Sequence, residues 1–139
     1  MISDATILYL SAVDWDAPWH GPQELAKRMG AAGNHVVYVE TVGWRRPRLF
    51  DARRVLGRAR RAAQGGRSHT RRTGPSPGVQ LVSPLLIPGA GSSPERSFNR
   101  RRLLSAVRPL IGDGRPLILW IYTPAHLTND FRCAASSFR

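Results

Sequence analysis

Residues 7–40 constrain the fold more than any other part of this chain. A short apolar run, Thr6–Ser11, gives way to a long polar and aromatic connection, then to a stretch with helical spacing, then to the β-branched and aromatic run 36–39. The first run lacks strict alternation, as expected of a strand buried on both faces of a parallel sheet. Pro22 suits the first helical turn, where its missing N–H has no partner to lose, and Gln23 and Glu24 place polar and negative groups at the positive helix end. Leu25, Ala26, Met29 and Ala32 form one stripe, and Gly33 supplies the left-handed residue that stops the helix. A strand–helix–strand crossover of this length is right-handed and parallel, which puts Glu40 at a carboxyl strand end.

Further along, 79–83 reads as a third strand between Gly78 and Pro84, followed by a Pro/Gly-rich loop over 84–94. Apolar positions Phe98, Leu103, Leu104, Val107, Leu110 and Ile111 predict a helix over 98–111 that Pro109 kinks or shortens. The continuous apolar run 117–122 predicts a fourth strand buried on both faces. With a basic helix expected over 49–63, the order is β-α-β-α-β-α-β.

At 139 residues and 42% hydrophobic content, the chain is expected to form one domain with a real core. No apolar run approaches the roughly 20 residues that span a bilayer, and the N-terminus lacks a secretory pattern, so a cytosolic protein is expected. Cys133 is the only cysteine, which excludes an internal disulfide and any cysteine-based zinc cluster within one chain. The net charge of +12 is uneven: between Arg45 and Arg72 there are 11 arginines and one acid, Asp51, a local net of +10. That basic insertion occupies 44–76.

Several motifs are missing. No Gly-x-Gly-x-x-Gly follows the first strand, although Glu40 lies where a dinucleotide fold places its ribose-binding acid. There is no phosphate-binding Walker loop, nucleophile elbow or His-Glu-x-x-His. Asp14, Asp16 and His20 lack the glycine and acid pattern of a calcium loop, so no metal and no cofactor is expected.

A set of separated pieces carries a family resemblance. They are Leu10 to Asp16 with Trp19 and Pro22-Gln23, then Leu25-Ala26 with Gly33-Asn34-His35-Val36 and Tyr38-Val39-Glu40. Asn99-Arg100-Arg101 and Leu119-Trp120-Ile121-Tyr122-Thr123-Pro124 complete the set. Over about residues 7–126 the chain resembles the N-terminal domain of bacterial glycosyltransferases with the two-Rossmann-domain GT-B fold, in the broad group called family 1 or 4.

The resemblance implies a Rossmann-like α/β domain over 1–128 and an irregular tail over 129–139. It also implies an incomplete enzyme, because two such domains need about 300–400 residues. In this family the N-terminal domain holds the acceptor and the other binds the nucleotide-sugar donor, so this chain is expected to be inactive alone. The acceptor would be a sugar, lipid or cell-wall precursor.

In open parallel sheets ligands bind beyond the carboxyl strand ends where the order reverses, which for order 3-2-1-4 lies between the first and fourth strands. Two loops meet there, and Asp14, Trp15, Trp19, Tyr122 and His126 are the expected acceptor-binding residues. Aromatic faces and carboxylates that accept hydroxyl hydrogen bonds suit such a ligand. His20, with an ordinary pKa near neutrality, is the expected general base, with Asp16 beside it.

The basic insertion suggests a second surface. Trp44, Arg45, Arg46, Arg53, Arg54, Arg60 and Arg61 are expected to meet an anionic membrane, placing the protein peripherally on the inner membrane face. The alternative is a non-catalytic α/β protein that binds nucleic acid or another anionic surface. Trp44 and Phe50 are the segment's only aromatics and make no stacking platform, which weakens the nucleic-acid form.

Overall fold

In a computed structural model the chain is described at residues 2–40, 70–71, 76–84, 86–87, 92–111 and 114–122. The elements are β1 (Thr6–Ser11), α1 (Gly21–Ala31), β2 (His35–Glu40), β3 (Thr70–Arg71), β4 (Val79–Val82), α2 (Ser93–Val107) with a 3-10 turn at Arg108–Leu110, and β5 (Leu117–Ile121). The sheet runs β3-β4-β2-β1-β5. β4, β2, β1 and β5 are all parallel, with Tyr9 of β1 opposite Tyr38 on one side and Trp120 on the other. The short β3, within the basic insertion, adds an antiparallel edge, Thr70 opposite Val82.

The alternation of a pleated strand sorts the core into two layers. Ile7, Tyr9, Val36, Tyr38, Val79 and Leu81 face α1, where Ala26 is buried and Leu25 and Met29 pack alongside. Leu8, Leu10, Val37, Val39 and Val82 face α2, where Leu103 and Val107 are buried. Both faces of β1, β2 and β4 are therefore covered, and this is an α/β architecture in which β1 and β2 are interior strands. The expected helix over 49–63, the loop residues near it and the tail over 129–139 with Cys133 lie outside the described residues.

α1 starts one residue before Pro22. His20 is its N-cap in extended conformation, and Gln23 Oε1 accepts a hydrogen bond from the His20 N–H at 2.8 Å. Gly33, at φ +86°, ends it as expected. The helix also lies unusually close to the turn before β4. A Cβ on Gly30 would sit 2.5 Å from Pro77 O, and one on Gly78, at φ +74°, would sit 2.8 Å from Asn34 O. Only glycines permit that approach.

Two expectations need correction. α2 begins at Ser93, five residues earlier than its apolar pattern suggests, because Ser92 and Glu95 form a reciprocal capping box: Ser92 N donates to Glu95 Oε2 at 2.9 Å and Glu95 N to Ser92 Oγ at 3.4 Å. Its α-helical part ends at Val107, and Pro109 falls in the 3-10 turn. β5 is half-buried, not buried on both faces, with Leu117 37% exposed. Among the described residues β5 has a strand partner on one side only. No described helix is long and apolar enough to cross a membrane.

Candidate functional site at the carboxyl end of the sheet

α1, which follows β1, packs on one face of the sheet and α2, which precedes β5, packs on the other, so the carboxyl ends of the neighbouring strands β1 and β5 lie side by side between the two layers. The 12–20 loop rises from β1 on one side. Tyr122 stands on the other, its N–H donating to Leu10 O at 3.2 Å.

Buried polar groups hold the loop in place. Glu40 is 5% exposed at the end of β2. Its Oε1 accepts from the Trp15 N–H at 2.7 Å, and its Oε2 accepts from the Ser83 hydroxyl just beyond β4. The Tyr38 hydroxyl lies 2.8 Å from Ser11 Oγ and 2.9 Å from Val13 O. Gln23, fully buried in the first turn of α1, points its Nε2 at the carbonyl oxygens of Asp14, Trp15, Ala17 and Pro18, at 3.3 to 3.5 Å. The two N–H groups of this one amide are shared among the four oxygens, of which Asp14 O also accepts from the Ala17 N–H.

Burial of its hydroxyl pushes the pKa of Tyr38 up to about 12; the bond to Ser11 opposes this, and Glu40 and Tyr122 add to it. Tyr9 is raised further in the same direction, by burial first and then by Tyr38 and Tyr122. Its hydroxyl is buried with no hydrogen-bond partner among the described residues. The rings form a continuous aromatic wall: Tyr9 stacks on Tyr38 at 5.3 Å, on Trp120 at 6.4 Å and on Tyr122 at 6.3 Å.

The two tryptophans of the loop have different fates. Trp15 is 6% exposed and meets Tyr38 edge-on at 5.0 Å, so it is a packing anchor of the core and presents no open ring face to a ligand. The acceptor-binding role expected of it is corrected on that ground. Trp19 packs edge-on against Trp15 at 5.8 Å and stays 53% exposed. Its Nε1 donates to Glu24 Oε2 at 3.3 Å, and Lys27 Nζ lies 5.9 Å from its ring centroid. Glu24 in turn pairs with Arg28 at 2.8 Å, which, ahead of the other groups, holds its carboxyl below the usual range.

Tyr122 is 45% exposed, and a Cβ on Gly21 would come within 3.1 Å of its hydroxyl, so this tyrosine stands against the start of α1. Asp14 is half-buried at the loop's first turn, where Ala17 N donates to Asp14 O at 3.0 Å, and Asp16 is exposed. His20 is exposed, with Nδ1 2.8 Å from Trp19 O. A carbonyl oxygen can only accept, so in the tautomer that makes this bond Nδ1 carries the proton.

The structure thus brings Asp14, Asp16, Trp19, His20 and Tyr122 to one end of the sheet. His126 lies outside the described residues, as do Trp44, Arg45, Arg46, Arg53, Arg54, Arg60 and Arg61. Among the described residues no group of three or more His, Cys, Asp or Glu side chains is placed to hold a metal ion. Sequence reasoning missed Gln23, Tyr38, Glu40 and Ser83 as the loop's supports. The one available signal was a carboxylate ending an otherwise apolar strand. An aromatic ring, carboxylates and an imidazole at one end of the sheet suit a ligand with many hydroxyl groups.

No protein-family model matches the chain, and comparison with curated proteins and with solved structures gives no match either.

Proposed function

We propose that this chain is the acceptor-side, Rossmann-like domain of a glycosyltransferase of the two-domain GT-B type, holding a hydroxyl-bearing acceptor at the carboxyl ends of β1 and β5. The observation that carries this reading is the pair of exposed aromatic residues, Trp19 and Tyr122, at the carboxyl end of the sheet. A sugar ring lays its C–H face on an aromatic ring and offers its hydroxyls to carboxylates, and Asp14 and Asp16 lie in the same loop as Trp19. His20 Nε2 is the base that takes the proton of the attacking hydroxyl. The nucleotide-sugar donor is bound by a second domain of the same enzyme, and this domain alone binds acceptor without turnover.

Tryptophan fluorescence of the whole chain, titrated with methyl glycosides of glucose, galactose, mannose and N-acetylglucosamine, tests the reading. At least one should quench or shift the emission with a saturable, millimolar response. In Trp19→Ala that response should weaken about tenfold, a loss of about 1.4 kcal/mol. No saturable response to any glycoside, or an unchanged affinity in the variant, would contradict it.

A further inference from the structure

The outer face of α2 combines an exposed aromatic ring with several exposed arginines. Its inner face is used up in the core through Leu103 and Val107. Phe98, Arg101, Arg102, Ser105 and Arg108 are exposed. Their spacing of three, four, seven and ten residues from Phe98 places them along one stripe, about 15 Å long at the helical rise. Arg96 and Arg100 add charge on the same helix, and Glu95, the helix's one acid, has its carboxylate engaged by the Ser92 N–H in the capping box. Phe98 is 41% exposed, with the Arg102 guanidinium 5.5 Å from its ring centroid.

We infer that this stripe is a docking surface for an anionic phospholipid bilayer. Guanidinium groups meet lipid phosphates through paired hydrogen bonds, and an aromatic ring among them enters the boundary between headgroups and acyl chains. Each arginine within a Debye length of the acidic leaflet adds to the attraction. Nucleic acid fits the stripe less well. Arginines meet nucleic-acid phosphates as well as lipid phosphates, so the groups that discriminate are an amide free to read base edges and an open ring on which bases stack. Asn99, the one amide on α2, is engaged by the backbone of Ile87, at 2.7 and 2.9 Å, and the ring of Phe98 has a guanidinium over it. A lipid surface requires only charge and the edge of a ring. This surface lies on the layer of the sheet opposite α1, and it does not depend on the sugar reading.

Co-sedimentation of the full chain with phosphatidylcholine vesicles, with and without one third phosphatidylglycerol, provides the test. The protein should pellet only with the acidic vesicles. R101Q/R102Q/R108Q should reduce its vesicle affinity by about tenfold or more. F98A should reduce it by about threefold. R58Q/R67Q/R72Q removes the same number of charges from elsewhere in the chain and should have a smaller effect than the α2 variant. The altered α2 residues are exposed, and circular dichroism should report an intact fold. The proposal is overturned if the wild-type chain ignores acidic vesicles, or if the two triple variants lose affinity equally. Displacement from vesicles by short duplex DNA at equal phosphate concentration would also overturn it, in favour of a nucleic-acid surface.

Discussion

At the amino end of the sheet Asn34 is buried, and its side chain is occupied by backbone. Oδ1 accepts from Ala5 N at 3.1 Å, while Nδ2 donates to Ile2 O at 2.8 Å and Met29 O at 2.9 Å. At the carboxyl end Glu40 is equally buried, yet it reaches across to the loop above β1 and to Ser83 beyond β4. Asn34 ties an N-terminal segment and a helix end down onto a turn that only Gly30 and Gly78 allow to close, so it seals its end. Glu40 supports a loop whose outer side carries Asp16, Trp19 and His20 into solvent. A buried polar side chain can close a fold or prop up a site, and the exposure of what it holds distinguishes the two.

Substitutions that separate the two ends test this contrast. Asn34→Ala should have the largest effect on stability, about 3 kcal/mol by chemical denaturation, because three backbone groups lose their partner. Glycoside affinity of the remaining folded protein should be unchanged, and a parallel loss of affinity would mean that the two ends are coupled. Glu40→Ala should cost about 2 kcal/mol, through the Trp15 N–H and the Ser83 hydroxyl left behind. It should also weaken glycoside binding, since the loop loses its main tether. Normal binding in that variant would show that Gln23 and Tyr38 suffice to hold the loop.

Tyr38→Phe is milder, about 1 kcal/mol near neutral pH from the bonds to Ser11 and Val13. Its signature is in alkali. An unfolded tyrosine ionises near 10, while the folded Tyr38 holds its proton to about 12. Its contribution is therefore complete below pH 10 and fades as the pH rises from 10 to 12. Over that window the stability of Tyr38→Phe should fall less steeply than that of the wild type; identical slopes would argue that the hydroxyl is not buried. Trp19→Ala should be the smallest perturbation of stability, within about 0.5 kcal/mol, given an exposed ring, while removing most of the glycoside response.

Much of this architecture is legible in the residues. The parallel strands and α1 announce themselves because a strand covered on both faces needs an unbroken apolar run, and because Pro22 and Gly33 mark helix ends by backbone chemistry alone. The start of α2 was hidden by its setting, since the Ser92–Glu95 box lies in a stretch of prolines and glycines that reads as loop. An apolar run cannot distinguish a central strand from one at an edge, so β5 was expected to be more buried than it is. Trp15 and Trp19 look alike in sequence, and only packing assigns one to the core and leaves the other exposed. Gln23 and Glu40 were equally opaque, because polar residues at element ends usually face water, and their burial depends on a loop folding back over them.

A sugar-like ligand held at the carboxyl end of the sheet would touch both the 12–20 loop and Tyr122. Backbone amide shift mapping of the isotope-labelled chain, titrated with the glycosides that alter its fluorescence, tests it most directly. Perturbations should concentrate at residues 14–21 and at Ile121 and Tyr122, with the amides around Asn34 and Gly78 unmoved. Perturbations centred on Asn34 and Gly78, or none at saturating glycoside, would contradict it.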